Sequence, residues 1–219
     1  MISENLKKRL FTSFLLILTL FLMMFLKPIF LFILILTGVF SIIEFIEIIK
    51  RIYKKYLYRL FFNLLFITLI FILFTLFFIL TENIPLKAIM FSLLITCVSS
   101  DIGGYIIGKN LKGPKITKIS PNKTISGSIG SFIFSCLTFC GLFFLMTNNI
   151  NYIVVLTGLI TSLACQIGDL FFSFLKRKAK KKDTGNILPG HGGILDRIDG
   201  MLFAVPLGTV IWEFLIFII

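Results

Sequence analysis

The stretch Ser173–Asp199 reads SFLKRKAKKKDTGNILPGHGGILDRID. It is the longest strongly polar segment in a chain of 219 residues, 58% of them hydrophobic. Seven of the 22 Lys and Arg fall in it (Lys176, Arg177, Lys178, Lys180, Lys181, Lys182, Arg197), with Asp183, Asp196, Asp199, the single His, His191, and four glycines. Apolar runs, Tyr152–Leu175 and Met201–Ile219, flank it. A hydrocarbon core of about 30 Å needs roughly 20 apolar residues per helical span. Lipid leaves backbone groups no outside partner, so spans are helices or closed barrels. These runs are continuous rather than alternating, which predicts helices. Mean hydropathy is +1.03, and no polar segment is long enough to build a separate soluble domain.

Working outward, seven spans are predicted: Leu10–Leu26, Ile29–Ile49, Leu60–Leu80, Ala88–Ile107, Gly127–Met146, Tyr152–Leu175 and Met201–Ile219. The expected architecture is an all-α, polytopic membrane bundle. Residues 1–96 form N-terminal membrane helices, and 97–219 a catalytic membrane region with loops 108–126 and 176–200. Lys27-Pro28 makes a tight first turn, because Pro ends one helix and opens the next. All Lys and Arg except Lys27 and Lys87 fall in alternate loops. The positive-inside rule then gives N-in, C-out, with both informative loops cytoplasmic. The same placement accounts for the net charge of +12 without nucleic acid. The Lys-Arg-led N-terminal run resembles a signal peptide but has no small-residue cleavage site, so it is read as a retained span. Cys97, Cys136, Cys140 and Cys165 lie inside apolar runs and make no disulfide framework.

Acids inside spans invite a functional reading. Glu44 and Glu47 sit late in the second span, where Lys50 or Arg51 can pair with them; Glu213 lies inside the last span without an evident partner. The five Asp (Asp101, Asp169, Asp183, Asp196, Asp199) all sit in or beside the two cytoplasmic loops. Asp101 reads either as a hydrogen-bonded buried acid or as a site carboxylate. Gly104 and Gly108 fit close helix packing. Ser120-Pro121-Asn122-Lys123-Thr124-Ile125-Ser126-Gly127 opens the fifth span, where free N–H groups, the helix dipole and Lys123 favour a phosphate; an ordinary Ser/Thr cap fits equally. Asp196 and Asp199 are three apart and share a face if one helix begins by Leu195. With Asp169 they offer the hard oxygens a divalent cation takes alongside substrate phosphates. His191-Gly192-Gly193 is a flexible turn able to approach a ligand closely. No GxSxG, Cys–His pair or Walker A sequence is present. That fits a reaction whose attacking group is already an anionic phosphate, which needs alignment and charge neutralisation rather than an enzyme nucleophile.

The run Ser173-x-Leu175-Lys176-Arg177-x₄-Lys182-Asp183-x-Gly185-x₂-Leu188-Pro189-x-His191-Gly192-Gly193-Ile194-x-Asp196-Arg197-Ile198-Asp199 resembles the signature of phosphatidate cytidylyltransferases (CDP-diacylglycerol synthases). Asp101-x₃-Tyr105-x₂-Gly108-Lys109 and Ser120-Pro121-x-Lys123-Thr124 resemble the same family's cytoplasmic segments, so the likeness covers roughly 97–205. It implies that CTP and phosphatidic acid give CDP-diacylglycerol and pyrophosphate at the cytoplasmic face of the inner membrane, with Mg²⁺ and a second cation. Asp169, Asp196 and Asp199 would hold metal. Lys176, Arg177, Lys182 and Arg197 would hold phosphates, with Asp183 beside them. Asp101, Ser120, Lys123, Thr124, Ser173, His191, Gly192 and Gly193 would line the substrate site. A homodimer is implied as well. Two positions depart from the pattern: Ser126 stands where Glu is usual, and Gly104 where Ala is usual. Rival readings are a polyprenol-kinase-like or CDP-alcohol enzyme, and a cation or proton transporter using Asp101, Asp169 and Glu213; the transporter would call for inverted repeats, and none is visible.

Overall fold

In the computed structural model, which describes residues 4–217 apart from 118–119, 121–122 and 189–191, the apolar runs are helices. They are α1 (Glu4–Phe25), α2 (Lys27–Ile52), α3 (Tyr56–Glu82), α4 (Ile84–Leu111), α5 (Ile125–Thr147), α6 (Tyr152–Lys178), α7 (Leu195–Ile198) and α8 (Met201–Phe217). Among the described residues, extended pairing is limited to isolated bridges, Lys115 with Thr124 and Leu188 with Gly192. Five helices, α2 to α6, are long and apolar enough to cross a membrane, so this is an all-helical integral membrane protein. Pro28 opens α2 one residue after Leu26 leaves the helix, the tight turn expected there. Pro85 opens α4 in the same way, after Asn83.

The last span begins at Met201, as expected, so the condition for Asp196 and Asp199 to share a face of it is not met. α7 is a single turn of 4 residues, and a break at Asp199-Gly200 precedes α8. Asp199 accepts the Gly200 amide at 2.8 Å. A Cβ on Gly200 would lie 2.6 Å from Cys165 Sγ, so the chain passes too close to α6 there for a side chain. Asp196 and Asp199 therefore do not share a continuous helix.

The chain divides into two units, Met1–Phe78 with Leu175–Ile198, and Ile79–Phe174 with Asp199–Ile219. In the first, α2 packs on α3 through stacked rings, Phe45 on Phe66 at 3.9 Å and Tyr53 on Phe62 at 4.9 Å. The outer side of α3 presents Leu57, Phe61, Phe71 and Ile72, apolar surface that suits lipid.

In the second unit, α4 and α5 meet backbone to backbone. A Cβ on Gly103 would lie 2.7 Å from the Gly130 carbonyl oxygen, and one on Gly130 2.7 Å from the Gly103 oxygen. Small residues permit this approach where apolar burial gives helices little reason to associate. Hydroxyls join the same helices: Ser99 Oγ lies 2.6 Å from Thr138 Oγ1, and Ser131 donates to the Ser100 carbonyl at 2.8 Å. Ser100 and Ser162 tie α4 to α6 at 3.0 Å. The outcome is that the C-terminal end of α4, the start of α5 and the late turns of α6 converge. Gly130→Ala should force α5 away from α4 and cost about 1–3 kcal/mol, as overpacked interiors do. Thermal unfolding in detergent would read it; an unchanged midpoint would contradict the close packing.

Candidate active site

The convergence encloses a cavity of about 340 Å³, lined by Asp101, Tyr105, Ser120, Lys123, Thr124, Ser128, Gln166 and Asp169 among others. The loop that roofs it is short and tied down. Lys112 and Gly113 turn the chain at positive φ. The Ile116 amide donates to the Lys123 carbonyl at 3.0 Å, the Lys123 amide to Ser120 at 3.1 Å, and the Ile125 amide to Pro114 at 3.0 Å. Thr124 caps α5, its Oγ1 accepting the Gly127 amide at 3.1 Å. Ser126 donates to the Lys112 carbonyl and lies 3.0 Å from Thr124 Oγ1. The residue that departs from the pattern thus fastens the loop to the helix it precedes. Gly104 is matched to its neighbour in a similar way. A Cβ there would lie 2.5 Å from Ser131 Oγ, the hydroxyl that bridges back to α4.

Charge in the cavity is paired. Lys123 forms an ion pair with Asp169, both side chains about a third exposed or less. Ser173, expected to line the substrate site, donates to Asp169 Oδ1 at 3.2 Å and so orients that carboxylate. Gln166 was given no role by sequence. Its Oε1 accepts from Ser128 and its Nε2 donates to Ser162 Oγ at 3.2 Å. Its place one turn before Asp169, facing the same way, was the available signal. An ammonium, the start of a helix and two carboxylates in one cavity can take a phosphate-bearing ligand together with its counter-cation.

The polar island is organised by acids in the first unit. Lys176 is not a free phosphate-binding cation. It is buried, and its Nζ lies 2.6 Å from Asp196 Oδ1, with the side chains 10% and 6% exposed. Asp196 Oδ2 accepts from the Thr184 amide at 2.8 Å, the Thr184 hydroxyl at 3.0 Å and the Gly193 amide at 3.0 Å. Glu44 does not pair with Lys50 or Arg51. It accepts from the Thr184 hydroxyl at 2.6 Å and from the amides of Ile194 and Leu195 at 3.0 and 2.9 Å. Glu47 takes Lys181 at 2.8 Å. Arg177, Lys182, Asp183 and Arg197 are exposed. Gly192 adopts φ +81, the left-handed conformation that favours glycine. His191 lies outside the described residues. Among those described, no three His, Cys, Asp or Glu side chains gather as a ready metal cage.

The model of the "Cytidylyltransferase family" matches residues 53–215. The chain belongs to that family. Curated relatives named phosphatidate cytidylyltransferase include one from Staphylococcus haemolyticus, 39% identical over 138 residues, 62% of this chain and 53% of the relative. One from Bacillus subtilis is 47% identical over 111 residues, covering 49% and 41%; one from Synechocystis is 39% identical over 131 residues, covering 58% and 44%. The chain spans about half the length of the curated relatives it matches. The family match takes in both loops and the cavity, but α1 and all of α2 lie before it.

Burial pushes the Asp196 carboxyl up, but the Lys176 ammonium and the amides of Thr184 and Gly193 outweigh it. The net position is below the ordinary 3.8. The ionised clasp therefore stabilises the loop in full above about that pH and is lost as pH falls through the lower folded value. Lys176→Met removes the largest opposing influence and leaves the burial, so Asp196 should titrate at higher pH. Carboxyl ¹³C NMR of labelled Asp would show the rise; an unchanged titration would contradict the pairing.

Proposed function

We propose that this protein transfers the CMP group of CTP to phosphatidic acid, giving CDP-diacylglycerol and pyrophosphate. The observation that carries the reading is the cavity in which Lys123, the Thr124-capped start of α5, Asp101 and Asp169 face one space, in a chain of the cytidylyltransferase family. In the reaction, a phosphate oxygen of phosphatidic acid attacks the α-phosphorus of CTP. A new P–O bond forms, the bond from the α-phosphorus to the bridging oxygen breaks, and pyrophosphate leaves with the electron pair. The attacking oxygen is already anionic, so no protein nucleophile or strong base is required. Lys123 and the positive end of the α5 dipole would hold a phosphate group, and the exposed Arg177, Lys182 and Arg197 would supply further cations, the two arginines with forked donors that suit phosphate.

Mg²⁺ is the counter-ion this proposal needs, with a second cation possible in charge terms. It takes one or two carboxylates and completes its shell with phosphate and water. Asp169, Asp196 and Asp199 are the carboxylates from which those one or two ligands would come. Bound there, the ion would supply charge neutralisation for the departing pyrophosphate. In this structure Lys123 neutralises Asp169 and Lys176 neutralises Asp196. The charge alternation along the sequence supports seven spans, N-in and C-out, with the site at the cytoplasmic face of the inner membrane. A homodimer belongs to the same proposal. Glu213, which a transporter would keep on an enclosed pathway, is exposed on α8.

Purified protein in detergent, given radiolabelled CTP, phosphatidic acid and Mg²⁺, should form labelled CDP-diacylglycerol. Asp169→Asn should lower turnover by at least about 100-fold, the scale for losing a charge-placing group, with the unfolding midpoint near wild type. No lipid product from wild type would overturn the function. Wild-type turnover in the variant would overturn the role of Asp169.

A further inference from the structure

Glu44 sits on α2, before the first residue of the family match, and only 3% of its surface is exposed. An enclosed carboxylate must be compensated by donors. Among the described residues, the donors to Glu44 all come from the polar stretch 173–199: the Thr184 hydroxyl on Oε2, the Leu195 amide on Oε2 and the Ile194 amide on Oε1. Thr184 is also a partner of Asp196, through its amide at 2.8 Å and its hydroxyl at 3.0 Å. One hydroxyl therefore faces two carboxylates, from α2 and from α7. Asp196 in turn holds Lys176 at 2.6 Å.

The glycines of the island follow from this. A Cβ on Gly185 would lie 2.5 Å from Glu44 Oε1, and one on Gly193 would land on Thr184 Oγ1 and the Glu44 carboxylate. Both glycines let backbone close around an acid carried by a different helix. Glu47 repeats the attachment one turn later through Lys181.

We propose that Glu44 is a positioning residue, which fixes Thr184 and the 193–195 backbone and through them sets Asp196 and Lys176. For the reaction this rests on the proposed function. The geometric part can be read without it.

Glu44→Gln keeps the volume but puts an NH₂ group where oxygens now accept. Its unfolding midpoint in detergent should stay near wild type. Trypsin, without ligand, should cut after Lys180–Lys182 at least about tenfold faster, while other sites keep their rates. Turnover with CTP and phosphatidic acid should fall about 10–100-fold, the range for residues that orient a charged ligand-binding group, and KM for CTP should rise several-fold. A purely structural defect would lower Vmax with the amount of folded protein and leave KM alone. Thr184→Val should behave like Glu44→Gln, and Thr184→Ser, which keeps the hydroxyl, should restore wild-type values. The Thr184 pair decides the matter if Glu44→Gln fails to fold. Wild-type KM and loop cleavage in both Glu44→Gln and Thr184→Val, or loss of Vmax alone in step with the midpoint, would overturn the proposal. An inactive wild-type protein would refute the functional reading, and the cleavage rates would still decide the positioning role.

Discussion

A carboxylate withdrawn from water in a helical membrane protein must be met by donors, and the polar parts of this protein are built on that requirement. Asp169 is met by Lys123 and Ser173, Asp196 by Lys176 and three groups of the 184–193 segment, and Glu44 by a hydroxyl and two amides. Each set draws a loop onto a helix. The loops are therefore shaped by the acids they satisfy, and their many lysines are not equivalent. Lys123, Lys176 and Lys181 serve as partners to acids, while Lys182 remains exposed.

The apolar scaffold supplies the second condition. Backbone contact between α4 and α5 at Gly103 and Gly130 brings the start of α5 beside Asp101. A helix start offers the positive end of the helix dipole. With Lys123 added, the cavity favours anions, while Asp101 and Asp169 keep it receptive to a cation. The proposed CTP and Mg²⁺ would call on both kinds of charge.

Much of this was legible in the sequence, for local reasons. Run length and continuity gave α2 to α6, and Pro28 marked the first turn. Gly104 and Gly108 were readable as packing residues from their spacing, and Lys123, Thr124, Asp101 and Asp169 do line one cavity. What stayed hidden depends on partners far along the chain. Glu44 has basic residues six and seven positions on, yet it is satisfied by Thr184, Ile194 and Leu195. Lys176 sits in a dense cationic run and is assigned to phosphate by resemblance, but Asp196 draws it into a buried pair. The break at Asp199-Gly200 comes from the approach of Cys165, which periodicity within the last span does not register. Ser126 is a departure by type alone; its hydrogen bond to Lys112 shows how a short side chain can serve at that position.

Binding of the proposed nucleotide tests the central claim most directly. Equilibrium dialysis of radiolabelled CTP with Mg²⁺ against detergent-solubilised protein would compare wild type with Lys123→Met. If the Lys123–Asp169 cavity holds the triphosphate, the variant should bind at least about tenfold more weakly, as loss of a charge-assisted contact implies. Equal affinity in a folded variant would place the nucleotide elsewhere and contradict the account.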